Sequence, residues 1–290
     1  MPAPVSSIDT SDFGMPARLA ELMGLHRRIG PWFGALYTQV MLVPGSLSRQ
    51  EHAKIAAVSA TAQDCTYLAE SQAKWLRLEG VDPEPVTAIG QQRPEATCAS
   101  ARAQALCQIA AKLSSTPTRM GPDDWQPLIH AGVDPLGLLE VAYVVGVSNY
   151  MTRLADGFGL SSGQPAIAGE TADPIPSAPL FDKEESKGGG AARRAAPVEG
   201  VGVRKRANNE PDGEVSLGWF LRVRAMGAPK DSPYNFGYRS EMGALLSAHP
   251  RIGPAFWALF SEIMFTPGAL TRAEREMVAA VAAAAQDCHY

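Results

Sequence analysis

Apolar residues recur at helical spacing along most of this chain, and nowhere do they alternate as a strand ladder would. Leu138, Leu139, Tyr143, Val147 and Leu154 fall on one face of a long helix that Asp134-Pro135 opens as N-cap and first helical residue. A stripe of that kind reads as core rather than as a ligand site. Further helices are predicted over Cys98 to Leu113 and Asp123 to His130. Ser48-x-x-Glu51 and Thr271-x-x-Glu274 each have the form of a capping box, in which hydroxyl and carboxylate satisfy the first free amides of a helix. A helix is therefore expected to start at both places, and the fold class is all-α, a helical bundle.

The two capping boxes belong to a longer repeat. His26 to Tyr67 realigns without a gap on His249 to Tyr290, at a constant offset of 223 residues. Arg28-Ile29-Gly30-Pro31 matches Arg251-Ile252-Gly253-Pro254, Pro44-Gly45 matches Pro267-Gly268, and Ala62-Gln63-Asp64-Cys65 matches Ala285-Gln286-Asp287-Cys288. This pattern reads as duplication of a domain. Between the copies the composition turns to Gly, Pro, Ser and charge, with Gly188-Gly189-Gly190 and the basic clusters Arg193-Arg194 and Arg204-Lys205-Arg206. Such a stretch cannot bury enough apolar surface to offset its ordering entropy, so it reads as a solvated tether. The expected organisation is a first unit over 1–160, a flexible linker over 161–215, and the front part of a second unit over 216–290.

Composition narrows the function. With 290 residues, 46% of them hydrophobic, the chain can bury a sizeable core. A formal charge of -4 leaves no broad basic field for phosphate backbones, which argues against a nucleic-acid partner. Met1 to Met15 lacks the basic start and apolar run of a signal peptide. The purest apolar run, Met277 to Ala285, is nine residues, against the roughly 20 that span a bilayer. A soluble, cytoplasmic protein with no membrane partner is the expectation. The four cysteines, Cys65, Cys98, Cys107 and Cys288, form no C-x-x-C pair and join no histidine cluster of metal-ligand spacing, so neither a metal nor a cofactor is expected. Cys98 and Cys107, in an alanine-rich helical stretch, read as small buried hydrophobes.

The reactive position that occurs in both copies is the cysteine after Gln-Asp. If Asp64 or Asp287 caps a new helix, Cys65 or Cys288 falls in its first turn, where unpaired amides and the helix dipole favour a thiolate. Against this, the adjacent aspartate partly cancels the dipole, and a lone cysteine in an alanine-rich helix is ordinarily packed and inert.

The span from the capping box through Gln-Asp-Cys resembles the alkylhydroperoxidase-like, or carboxymuconolactone decarboxylase, family, and its peroxidase-related branch in particular. The resemblance covers about Leu19 to Leu160, including Asn149 to Asp156, which is similar to that branch's asparagine-rich ending; the second copy covers only the front third. Peroxidase members of the family carry a Glu twelve residues before a C-x-x-C, and a His four residues after the second cysteine. The resemblance thus implies a thiolate that attacks a peroxide and is resolved by a neighbouring thiol. In the first unit the glutamate position is Ala53, the first cysteine is Cys65, the second is Leu68 and the histidine is Gln72. Leu68 cannot act as a thiol and Gln72 cannot shuttle a proton. His52 could substitute as a base but reads as an ordinary solvent-facing helix residue. The second unit keeps Glu276 and Cys288 at the family's spacing, and the chain stops at Tyr290, before the second cysteine, which reads as a truncated frame. The candidate catalytic residues are Cys288 as redox thiol, Glu276 as proton acceptor and, more weakly, Cys65. Their partner would be a peroxide or another small molecule. The alternatives are a degenerate, inactive protein kept for binding and homo-oligomer assembly and, ranked last, a decarboxylase-type lyase that uses no cysteine pair.

Overall fold

The computed structural model describes residues 16–93, 95–161 and 241–288. Apart from Ser161, the expected linker lies outside the described residues, as do 216–240 and Tyr290. Every regular element among the described residues is helical, so the all-α reading holds.

The first part contains α1 (Ala17–Leu25), α2 (Ile29–Tyr37) running into a π turn at Thr38–Leu42, α3 (Arg49–Ala62), α4 (Thr66–Leu78), α5 (Pro83–Gly90), α6 (Ala101–Ser115), α7 (Pro122–His130) and α8 (Pro135–Gly157). Helix α3 begins as its capping box requires: Glu51 N donates to Ser48 Oγ at 3.3 Å, and Ser48 N donates to Glu51 Oε2 at 2.8 Å. It is the central helix. His52, Ala53 and every residue from Ile55 to Thr61 are buried, because α4, α5, α6 and α8 all pack on it. Its small residues let those neighbours approach closely; a Cβ on Gly90 of α5 would stand 2.7 Å from Thr61 Cβ.

The other starts also follow from side-chain caps. Ser100 accepts from Ala103 N at 3.1 Å, which sets the first turn of α6 at Ala101 rather than at Cys98. Asp134 accepts from Gly137 N at 2.7 Å with Pro135 in the first turn, so α8 begins where the sequence predicts. Leu138, Leu139, Tyr143 and Val147 are buried on it as expected.

The later part supplies α9 (Glu241–Ser247), α10 (Ile252–Met264) and α11 (Arg272–Ala285). Locally it retraces the first. His26 Nδ1 accepts from Ile29 N at 3.0 Å, and His249 Nδ1 accepts from Ile252 N at 3.1 Å. Asp64 and Asp287 both take left-handed backbone, at φ 54° and 56°. Helix α10 lies against α2, and Ile252, Ala255 and Leu259 join the core of the first part. Helix α11 buries none of its residues: Val278 and Val281 are 62% and 69% exposed, whereas their counterparts Ile55 and Val58 on α3 are fully buried.

Candidate functional site

The Gln-Asp-Cys corner forms where α3 ends. Asp64 leaves the helix in the left-handed region, and Cys65 N donates back to Ala60 O at 3.1 Å. Cys65 is therefore the N-cap of α4 rather than a residue of its first turn, and its side chain makes no cap bond. It is only 1% exposed. Burial pushes its thiol up to about 11; the amides of Leu68 and Tyr67 oppose that rise, and the Asp156 carboxylate adds to it. Of the two readings of Cys65, its burial agrees with the packed one, because desolvation outweighs the helix terminus.

The other positions of the first unit's motif are sealed as well. Ala53, Leu68 and Gln72 are buried together with Cys65 where α4 folds back along α3. They fill the core at that corner.

In the later part the same corner recurs, with Cys288 N donating to Ala283 O at 3.0 Å, but Cys288 is exposed. Glu276 lies on α11 within 3.6 Å of Arg272. Ala283 stands seven residues beyond Glu276 on one helix, a rise of about 10 Å, so α11 does not bring Glu276 and Cys288 together. In the first part the helix that returns along this one is α4.

His52 is the second correction. Instead of facing solvent it is fully buried, with Nδ1 3.3 Å from Met41 O. A carbonyl only accepts, so Nδ1 carries the proton. Its neighbours Glu51 and Lys54 stay partly exposed, but His52 lies on the side of α3 that other helices cover.

His52 belongs to a buried cluster that sequence reasoning missed. Glu140 of α8, 2% exposed, accepts from Leu47 N at 2.9 Å, from His249 Nε2 at 3.0 Å and from Arg251 Nη2 at 3.2 Å. His52 Nε2 stands 4.0 Å from the same carboxylate, beyond hydrogen-bond reach. Burial alone would raise the Glu140 pKa, but the His249 imidazole and the Leu47 amide hold it well below the usual carboxylate range. His249 Nδ1 accepts from two backbone amides, Arg251 N and Ile252 N, which fixes its proton on Nε2, aimed at Glu140. The available signal was a single carboxylate in the apolar run Leu138-Leu139-Glu140-Val141.

The cluster sits where the two repeated segments meet, and the contacts there are related by exchange. Arg28 forms an ion pair with Glu262 at 2.7 Å and donates to Pro267 O, while Arg251, its counterpart, donates to Gln39 O, and Gln39 is the counterpart of Glu262. The Pro-Gly turns take part in both directions: a Cβ on Gly45 would overlap Glu140 Oε1 and lie 2.9 Å from Arg251 Nη2, and one on Gly268 would lie 3.0 Å from Arg28 Nη2. Residue i touches j and j touches i, the arrangement of an isologous two-fold contact.

Neither a protein-family model nor a curated protein matches the sequence. One similar solved structure is an uncharacterized peroxidase-related protein from Silicibacter sp. TM1040. It is 24% identical with a TM-score of 0.40, covering 44% of this chain and 67% of that one. Likeness at that level carries no argument about fold or activity.

Among the described residues, no group of three or more His, Cys, Asp and Glu could hold a metal ion, and no single helix is long and apolar enough to cross a membrane.

Proposed function

We propose that this chain is a peroxide-directed thiol protein of the alkylhydroperoxidase-like type, in which the first unit serves as scaffold and Cys288 is the reactive thiol. The division into units at 160 and 216 is part of the same proposal. The observation that carries it is the contrast between two equivalent corners: the same Asp-Cys turn holds Cys65 sealed and Cys288 exposed. The Cys288 thiolate attacks one oxygen of a hydroperoxide, the O–O bond breaks, an alcohol or water leaves, and the sulfur becomes a sulfenic acid. A second thiol then resolves the sulfenic acid. Glu276 is placed to accept a proton only if a neighbouring segment closes the gap along α11, so its assigned role in this proposal is weaker than that of Cys288.

Mass spectrometry of the peroxide-treated chain, beside Cys65→Ser and Cys288→Ser variants, tests this reading. It expects sulfenic acid at Cys288 and none at Cys65. A Cys288 that reacts no faster than an ordinary free thiol removes it.

Assembly is the second reading, favoured by the exchange-related contacts of Arg28 and Arg251. A unit that pairs with its own repeat in this way presents the kind of surface that a homo-oligomer uses. Native mass spectrometry of the full chain tests it, and a monomer at all concentrations counts against homo-oligomer formation.

A further inference from the structure

Two thiols outside the repeated motif meet in the first unit. Cys107 is on α6 and fully buried, while Cys98 is half-buried on the segment leading into that helix. Their sulfurs are 3.7 Å apart. The segment is fastened to α6 by one side chain: Cys98 N donates to Gln104 Oε1 at 2.7 Å, and Gln104 Nε2 reaches Ala96 O at 3.5 Å. Ser100 caps the helix between them.

The environment separates the two thiols chemically. Cys107, hydrogen-bonded to Cys98 and desolvated, is held above the usual thiol range. Cys98 is drawn below it, first by the hydrogen bond with Cys107 and then, against its partial burial, by the Lys54 ammonium on α3. One sulfur is thus accessible and activated, and its neighbour is sealed and keeps its proton.

We propose that Cys98 and Cys107 form a redox-active dithiol that a small hydroperoxide closes to a disulfide, independently of Cys288. The Cys98 thiolate attacks one peroxide oxygen; the O–O bond breaks, and the departing alkoxide or hydroxide takes a proton to leave as alcohol or water. Cys98 is then a sulfenic acid. Cys107 attacks that sulfur, the S–S bond forms, the S–O bond breaks, and hydroxide leaves as water with the Cys107 proton. Two electrons pass from the thiols to the peroxide. An external dithiol restores the pair by exchange. Closure brings the sulfurs from 3.7 Å to about 2.05 Å, a movement for the Cys98 segment rather than for α6. Because Cys107 is sealed and Cys98 only partly accessible, the oxidant is small rather than a protein disulfide.

The test uses the full-length, fully reduced chain, challenged with hydrogen peroxide, quenched by alkylation and digested for mass spectrometry without reductant. The expected product is a linked Cys98–Cys107 peptide pair that dithiothreitol reverses. Cys98 should be consumed at least ~10-fold faster than Cys65, whose thiol is raised by burial. In Cys107→Ser the link is lost and a sulfenic acid accumulates at Cys98, trapped by dimedone; in Cys98→Ser the link is lost and Cys107 stays reduced. Two outcomes overturn the proposal: both thiols remain alkylatable after peroxide, or the link forms with oxidised glutathione but not with peroxide. The peptides carrying Cys65 and Cys288 are read separately in the same digest, so failure at Cys288 and failure at this pair are distinguishable, and the wild-type result stands even if a variant folds poorly.

Discussion

Replacing Glu140 tests whether the buried cluster holds the two repeated segments together. In Glu140→Ala, the Leu47 amide, His249 Nε2 and the Arg251 guanidinium lose their common acceptor. Removing one partner of a buried ion pair costs about 3–5 kcal/mol, because the other charge stays uncompensated. Arg251 is 24% exposed and regains some water, which places the loss near the lower end, about 3 kcal/mol. Glu140→Gln keeps the volume and one acceptor but turns an amide donor toward one of the three donors, for a loss of about 2 kcal/mol. Urea unfolding at pH 7 measures the loss, and hydrogen exchange along α10 locates it, since α10 leaves α2 if the cluster fails. The sign with pH is fixed. Glu140 is held below its unfolded value, so its contribution is complete above about 4.3 and is lost as pH falls through the folded value. The gap between wild type and Glu140→Gln should therefore shrink below about pH 4. A Glu140→Ala loss under about 0.5 kcal/mol, with α10 exchange unchanged, would refute the reasoning.

Gly45→Ala should destabilise by about 1–3 kcal/mol, because the added Cβ overlaps Glu140 Oε1; a neutral result in the same urea assay would show that the carboxylate yields freely. The Arg28–Glu262 pair, with side chains 35% and 16% exposed, should show a coupling of no more than about 1 kcal/mol in a double-mutant cycle with Arg28→Ala and Glu262→Ala. Val58→Ala on buried α3 should cost about 1–3 kcal/mol, whereas Val281→Ala at the equivalent position of exposed α11 should stay within about 0.5 kcal/mol; equal losses would mean that α11 is covered in solution. Cys65 should resist iodoacetamide at neutral pH and begin to react only as pH approaches about 11, while the exposed Cys288 is modified first.

The helix starts were legible because caps are local. A hydroxyl or carboxylate three residues ahead of a free amide needs no knowledge of the rest of the chain, and Ser48, Thr271 and Asp134 all cap as their spacing implies. Environments were not legible. His52 reads as an outer residue, yet the helices packed on its side of α3 bury it while Glu51 and Lys54 stay partly exposed. Cys65 has two readings in the sequence, activated or packed and inert, and only its burial in the fold separates them. Cys98 and Cys107 read as small buried hydrophobes because the stretch around them is alanine-rich, and only the fold of the segment before α6 brings the sulfurs together.

The repeated Pro-Gly shows most clearly where local reading stops. As sequence it is a turn, and a turn explains proline and glycine without reference to anything distant. Neither Gly45 nor Gly268 has the left-handed backbone that would demand glycine for conformational reasons. A Cβ at Gly45 would first overlap Glu140 Oε1 and then meet Arg251 Nη2 at 2.9 Å, and one at Gly268 would meet Arg275 Nη2 of its own copy at 2.8 Å and Arg28 Nη2 at 3.0 Å, so a guanidinium from the other repeat is among the groups that exclude a side chain at each. An arginine and a glycine seventeen residues apart, both kept at an offset of 223, come together across the contact. The pairing of α2 with α10 agrees with the repeat: each copy carries both the arginine and the glycine, and two copies placed about a common two-fold axis bring both pairs together.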